Sequence, residues 1–106
     1  MKLFRKVQVN RASEDIELED IENIIRMYPE TILLDVRNIG EYKEGHLKNA
    51  INIPLYDLKQ KANHILLNKN ATIIVYCEVG IRSKKAMKIL KSFGYKNLYH
   101  LKNGIG

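Results

Sequence analysis

Two stretches of this chain are apolar at nearly every position and rich in β-branched residues: Thr31-Ile32-Leu33-Leu34-Asp35-Val36 and Thr72-Ile73-Ile74-Val75. A strand with one face in water alternates apolar and polar residues, whereas a strand with no polar side must be covered on both faces. That is the habit of parallel sheets held between helices. The intervening segments supply those helices. From about Glu17, Ile21, Ile24, Ile25 and Tyr28 recur at helical spacing, with acidic residues in the first turns and Pro29 as the stop. Leu55, Leu58, Ala62, Ile65 and Leu66 trace a second amphipathic helix. Ala86, Ile89, Leu90 and Phe93 trace a third, from Lys84 until Gly94 ends it. Asn38 is placed to cap a short helical turn running through Tyr42 and closed by Gly45. Ala50-Ile51-Asn52-Ile53, stopped by Pro54, and Asn97-Leu98-Tyr99-His100-Leu101 read as two further short strands. Lys6-Val7-Gln8-Val9 alternates and is a candidate edge strand. Strands and helices therefore alternate, which predicts an α/β fold of three layers: a mostly parallel five-stranded sheet with helices on both faces. Residues 1–15 form an N-terminal extension or edge strand, and residues 16–106 the domain.

In such sheets the crossovers are right-handed and ligands gather beyond the carboxyl ends of the strands. One of those ends carries Cys77, followed by Glu78-Val79-Gly80-Ile81-Arg82-Ser83. A strand-to-helix turn can aim its amides into a concavity, and the following helix adds the positive end of its dipole, so a thiolate or anion is stabilised there. Gly80 allows a tight bend and Arg82 brings a fixed charge. The stretch has the parts that a low-pKa nucleophilic thiolate needs.

Composition narrows the setting. The 106 residues suffice for one domain with one core, and 45% hydrophobic with 28% charged residues is the balance of an ordinary globular protein. A single cysteine cannot form an internal disulfide, which suits a reducing compartment. The chain shows neither a run of membrane-spanning length nor a signal peptide, so the expected location is cytoplasmic, without a membrane partner. The net charge of +6 comes from lysines spread along the chain with no aromatic-basic motif, which suits the steering of small anions rather than nucleic-acid binding.

Two segments together resemble the rhodanese family of sulfurtransferases. The first is Leu34-Asp35-Val36-Arg37, followed by Glu41-Tyr42, Gly45-His46-Leu47, Ala50 and Asn52-Ile53-Pro54. The second is the loop from Cys77 to Ser83, followed by Gly94-Tyr95 and residues 101–105. The resemblance covers roughly Ile16 to the C-terminus and implies the rhodanese-like three-layer fold. It further implies that Cys77 is the nucleophile, taking a sulfane sulfur from a donor, becoming a persulfide, and passing the sulfur to a thiophilic acceptor. On this reading the amides of Glu78, Val79, Gly80, Ile81, Arg82 and Ser83 hold the persulfide and the incoming anion. Arg82 anchors the donor or the loop, or pairs with an acidic residue such as Asp35, and Ser83 caps the helix. Asp35, Arg37 and His46 support the loop from the neighbouring strand end and turn. Activation comes from fixed dipoles rather than from a base, so no partner histidine is required, and His64 and His100 read as structural. No histidine stands at metal-ligand spacing, and neither a metal nor a cofactor is expected.

Three features refine the resemblance. Glu78 stands where many thiosulfate-using members carry a basic residue, and a carboxylate at the mouth disfavours a doubly anionic donor against a thiol persulfide. The Cys-Glu-Val-Gly-Ile-Arg loop is also similar to rhodanese domains fused to flavin-dependent disulfide reductases, which suggests a disulfide reductase or a sulfur-accepting protein as partner. Four residues separate Cys77 from Arg82, one fewer than in the cell-cycle dual-specificity phosphatases of the same fold, so the loop is expected to suit a single sulfur atom better than a phosphoryl group. The alternative function is a non-catalytic interaction module, or a persulfide carrier serving a partner protein.

Overall fold

The computed structural model describes residues 14–106. Five strands form one sheet: β1 (Asp15–Ile16), β2 (Ile32–Asp35), β3 (Ile51–Asn52), β4 (Thr72–Tyr76) and β5 (Asn97–Leu101). The spatial order is β1-β5-β4-β2-β3, and every neighbouring pair is parallel. Four α-helices connect them: α1 (Ile21–Met27), α2 (Ile39–Glu44), α3 (Leu55–Ile65) and α4 (Ile81–Ser92). A 3₁₀ turn, Leu18–Asp20, precedes α1. Among the described residues no helix is long and apolar enough to cross a membrane.

The apolar runs are continuous because both faces of the sheet are buried. Leu34, Ile73, Val75 and Leu98 pack against Leu58, Ala62, Ala86 and Leu90 of α3 and α4. Leu33, Ile74, Tyr76 and Leu101 pack on the opposite face against Ile21 and Ile24 of α1, with Tyr42 of α2 beside them. The period-two alternation of the pleat thus divides each run between two cores. β4 is central and fully covered, and its carboxyl end is where Cys77 follows.

Two boundaries differ from the expectation. The candidate strand at 6–9 lies outside the described residues. Among the described residues the edge strand beside β5 is Asp15–Ile16, paired with His100 and Leu101, two residues too few to leave a periodic signal. α4 begins at Ile81 rather than Lys84, because Gly80 turns the chain at φ 101° and lets the next residues enter the helix directly. Ile81, Arg82 and Ser83 are therefore the first turn of a helix and not loop. Asn38 does cap α2: its side chain accepts from the Glu41 amide, and the Glu41 carboxylate accepts from the Asn38 amide in return.

Candidate active site

β4 delivers Cys77 into a turn that closes within four residues. The Cys77 sulfur accepts hydrogen bonds from the amides of Gly80 at 3.1 Å and Ser83 at 3.3 Å, and lies 3.3 Å from Ser83 Oγ. Burial of the residue, 1% exposed, pushes the thiol pKa up. The Ser83 hydroxyl and the amides of Ser83, Gly80 and Val79 outweigh that and hold it below its ordinary value. Ser83 is the third residue of α4 and not its cap, a position that Gly80 occupies. A hydroxyl one turn into the helix can face the sulfur, whereas at the cap it would face the helix amides.

The turn is clamped from behind by the segment after β5. The Ile105 amide donates to the Cys77 carbonyl at 3.2 Å and the Gly106 amide to the Glu78 carbonyl at 2.8 Å. Two glycines make this approach possible. A Cβ on Gly80 would stand 2.1 Å from the Lys102 carbonyl oxygen, and one on Gly104, at φ 68°, would stand 2.1 Å from the Glu78 carbonyl oxygen.

Two arginines beside the turn, Arg37 and Arg82, are each held by a carboxylate. Arg37 is buried, and its Nε and Nη2 donate to Asp35 at 3.1 and 2.8 Å. Nη2 also reaches the Gly45 carbonyl at 2.6 Å, and Nη1 lies 3.5 Å from Glu78 Oε1. The Asp35 hydrogen bonds hold the Arg37 pKa above its ordinary value. Asp35 and Arg37 so connect the end of β2 to the Cys77 turn and to the chain after α2. Arg82 donates through both terminal nitrogens to Glu41, at 2.6 and 2.9 Å, and the Glu41 carboxyl is pulled down to about 2 by that contact. The acidic partner of Arg82 is thus Glu41 on α2, and not Asp35, which Arg37 occupies. His46 stacks on the Tyr42 ring at 3.7 Å, with Nδ1 2.7 Å from the Tyr42 carbonyl.

The carboxylate of Glu78, 46% exposed, faces Arg37, while Val79 and Ile81 stand exposed beside the turn. Of the six amides from Glu78 to Ser83, those of Gly80 and Ser83 hydrogen-bond the Cys77 sulfur itself. Among the described residues no group of His, Cys, Asp or Glu could hold a metal ion.

His100, which the sequence reads as structural, and Asp15, which carries no signal in the sequence, both reach the site. His100 on β5 is buried, and its Nε2 lies 2.7 Å from Ser83 Oγ, while its Nδ1 lies 3.2 Å from Asp15 Oδ1 on β1. The available signal was parity: His100 is two residues beyond Leu98, hence on the same face of the sheet as the α4 core. A groove of about 690 Å³ runs along the same edge, lined by Val79, Gly80, Ile81 and His100 and by lysines of α4.

A family model described as the rhodanese-like domain matches residues 17–106. Among curated proteins, the tRNA uridine(34) hydroxylase of Buchnera aphidicola is 37% identical over 100 residues, covering 91% of this chain and 32% of that protein. The chain spans about a third of the length of these curated relatives. Among solved structures, a rhodanese with anions from E. coli is 35% identical, covers 70% of this chain and 86% of that one, and superposes with a TM-score of 0.64. A human single-domain sulfurtransferase superposes with a TM-score of 0.75 over 88% of this chain and 92% of that one. At 20% identity, that likeness concerns the fold alone.

Proposed function

The chain belongs to the rhodanese-like domain family, and we propose that it is a sulfurtransferase working through a persulfide on Cys77. The observation that carries this reading is the cysteine sulfur itself, held by the Gly80 and Ser83 amides and the Ser83 hydroxyl and shifted toward thiolate. The Cys77 thiolate attacks the outer sulfur of a donor, and the donor's sulfur–sulfur bond breaks. The donor departs with the electron pair, leaving the Cys77 persulfide. An acceptor thiolate then attacks the outer sulfur and restores the Cys77 thiolate. Preorganised donors stabilise the anionic sulfur in both steps.

The burial of Cys77 favours a donor whose reacting sulfur stands at the end of a slim chain. Glu78 favours a thiol persulfide over thiosulfate, and the exposed Val79 and Ile81 suit contact with a disulfide reductase or a sulfur-accepting protein. The test is the intact mass after exposure to thiosulfate and, separately, to glutathione persulfide. Wild type gains one sulfur atom and Cys77→Ser gains none. Sulfur transfer retained by Cys77→Ser would overturn the mechanism.

The relatives named tRNA uridine(34) hydroxylase favour a second reading, in which the domain acts on RNA as part of a larger enzyme. Lys84, Lys85 and Lys88, which line the groove beside the turn, are the groups that would meet phosphates. Fluorescence anisotropy with tRNA separates the two: affinity that falls steeply with salt and with charge reversal at these lysines supports RNA, and its absence leaves the small-donor reading.

A further inference from the structure

Behind the Cys77 sulfur runs a chain of hydrogen-bonding groups with no gap longer than 3.3 Å. It goes from Sγ to Ser83 Oγ at 3.3 Å, from Oγ to His100 Nε2 at 2.7 Å, and from His100 Nδ1 to Asp15 Oδ1 at 3.2 Å. Its members come from the β4–α4 turn, α4, β5 and β1. Ser83 is fully buried and His100 nearly so, so the chain runs through the interior and ends at the half-exposed Asp15 carboxylate.

The Ser83 hydroxyl also lies 3.2 Å from the Gly80 carbonyl, a competing acceptor for its proton, and two arrangements satisfy every link of the chain itself. A carboxylate beside Nδ1 requires a proton on that nitrogen, because two lone pairs would otherwise oppose each other. With His100 neutral, Nε2 is then an acceptor and takes the Ser83 hydroxyl proton, and Ser83 Oγ accepts from the Cys77 thiol. With His100 protonated, Nε2 donates to Ser83 Oγ, and the Ser83 proton points at a Cys77 thiolate that also receives the Gly80 and Ser83 amides. Both arrangements satisfy the chain without moving a heavy atom. We propose that His100 holds the Cys77 proton, received through Ser83, and so acts as the positioning base of a Cys77–Ser83–His100–Asp15 relay. In the step, the Cys77 S–H bond breaks as Ser83 Oγ gains that proton, and the Ser83 O–H bond breaks as Nε2 gains its proton. The products are a thiolate and an imidazolium, with no change in total charge.

The surroundings of His100 carry both signs. Glu14 and Asp15 lie on the β1 side and favour the imidazolium. Lys84, Lys85, Lys88 and Lys91 of α4, with Lys102 beyond β5, line the same groove and oppose it, although Lys91 pairs with Glu14 at 2.5 Å and Lys102 with Glu17 at 3.2 Å.

The assignment rests on Cys77 being the nucleophile, but its test follows ionisation and not sulfur transfer, so each can fail alone. The thiolate is followed by its ultraviolet absorbance against pH, and the His100 ring by nitrogen NMR. Reciprocity requires two equal shifts of about one pH unit or more, tenfold in population. His100→Gln raises the thiolate midpoint, and in Cys77→Ser the His100 ring loses its proton at correspondingly lower pH than in wild type. In a Ser83→Ala background the His100→Gln shift disappears, since the link is already cut. Should His100→Gln fail to fold, Asp15→Asn raises the thiolate midpoint by a smaller amount, and the Cys77→Ser comparison needs no change at His100. A His100 ring that titrates identically in wild type and Cys77→Ser, or a thiolate midpoint unmoved by His100→Gln or Asp15→Asn, overturns the relay. Sulfur loading that persists in His100→Gln and Asp15→Asn would leave the sulfurtransferase reading intact.

Discussion

The Cys77 sulfur has two sides that are built differently. On the near side it meets the amides of Gly80 and Ser83, three and six residues further along the chain. On the far side it reaches His100 and Asp15 through Ser83, across two other strands whose paired residues are 85 positions apart in sequence. The near side follows from one tight turn and needs little beyond Gly80. The far side exists only because β5 is placed between β4 and β1. Local geometry can therefore stabilise a thiolate in any chain with this turn, whereas proton handling depends on the assembled sheet.

The strongest way to break the near side is Gly80→Ala. The added methyl group would meet the Lys102 carbonyl oxygen at 2.1 Å while the residue is held at φ 101°. Backbone strain and overpacking together are expected to cost about 3 kcal/mol or more, read by urea unfolding. Sulfur loading at Cys77 falls at least about tenfold, since 1.4 kcal/mol of lost preorganisation at the sulfur already accounts for that.

An intermediate effect is expected at the ion pair that ties α4 to α2. Folding lowers the Glu41 carboxyl from 4.5 to about 2, so its contribution to stability is fully present above about 4.5 and is lost as pH falls toward 2. Glu41→Gln keeps the hydrogen bond back to the Asn38 amide that the helix cap requires but removes the charge opposite Arg82. Thermal melts of wild type and variant should differ at neutral pH and converge across that acid window. A difference that stays constant with pH would mean that the carboxylate charge is not what holds Arg82.

The smallest effect belongs to Glu78. Its carboxylate is nearly half exposed and partly balanced by Arg37 at 3.5 Å. Glu78→Gln is expected to improve the use of thiosulfate relative to glutathione persulfide by only about threefold, because an exposed charge is screened at physiological salt. An unchanged ratio would indicate that the donor approaches from the side of Val79 and Ile81.

What the sequence determined by itself was everything written in short-range periodicity. Nearly continuous apolar runs at Ile32–Asp35 and Thr72–Tyr76 announced a sheet covered on both faces, and the 3.6-residue spacing of Leu58, Ala62, Ala86 and Leu90 announced the covering helices. The Cys77 turn was legible too, because a strand, a glycine and a helix start within a few residues leave few alternatives. Only the tertiary structure decided which carboxylate each arginine takes: Asp35 could be assigned to either, and the pairing of Arg82 with Glu41 joins residues 41 positions apart. It also decided that Ser83 faces the sulfur, that His100 stands behind Ser83, and that two residues at 15–16 form the edge strand. The reason is that periodicity reports which face of an element is buried and carries no record of its neighbour. Neighbours follow from the strand order β1-β5-β4-β2-β3, and that order emerges only when the faces have packed.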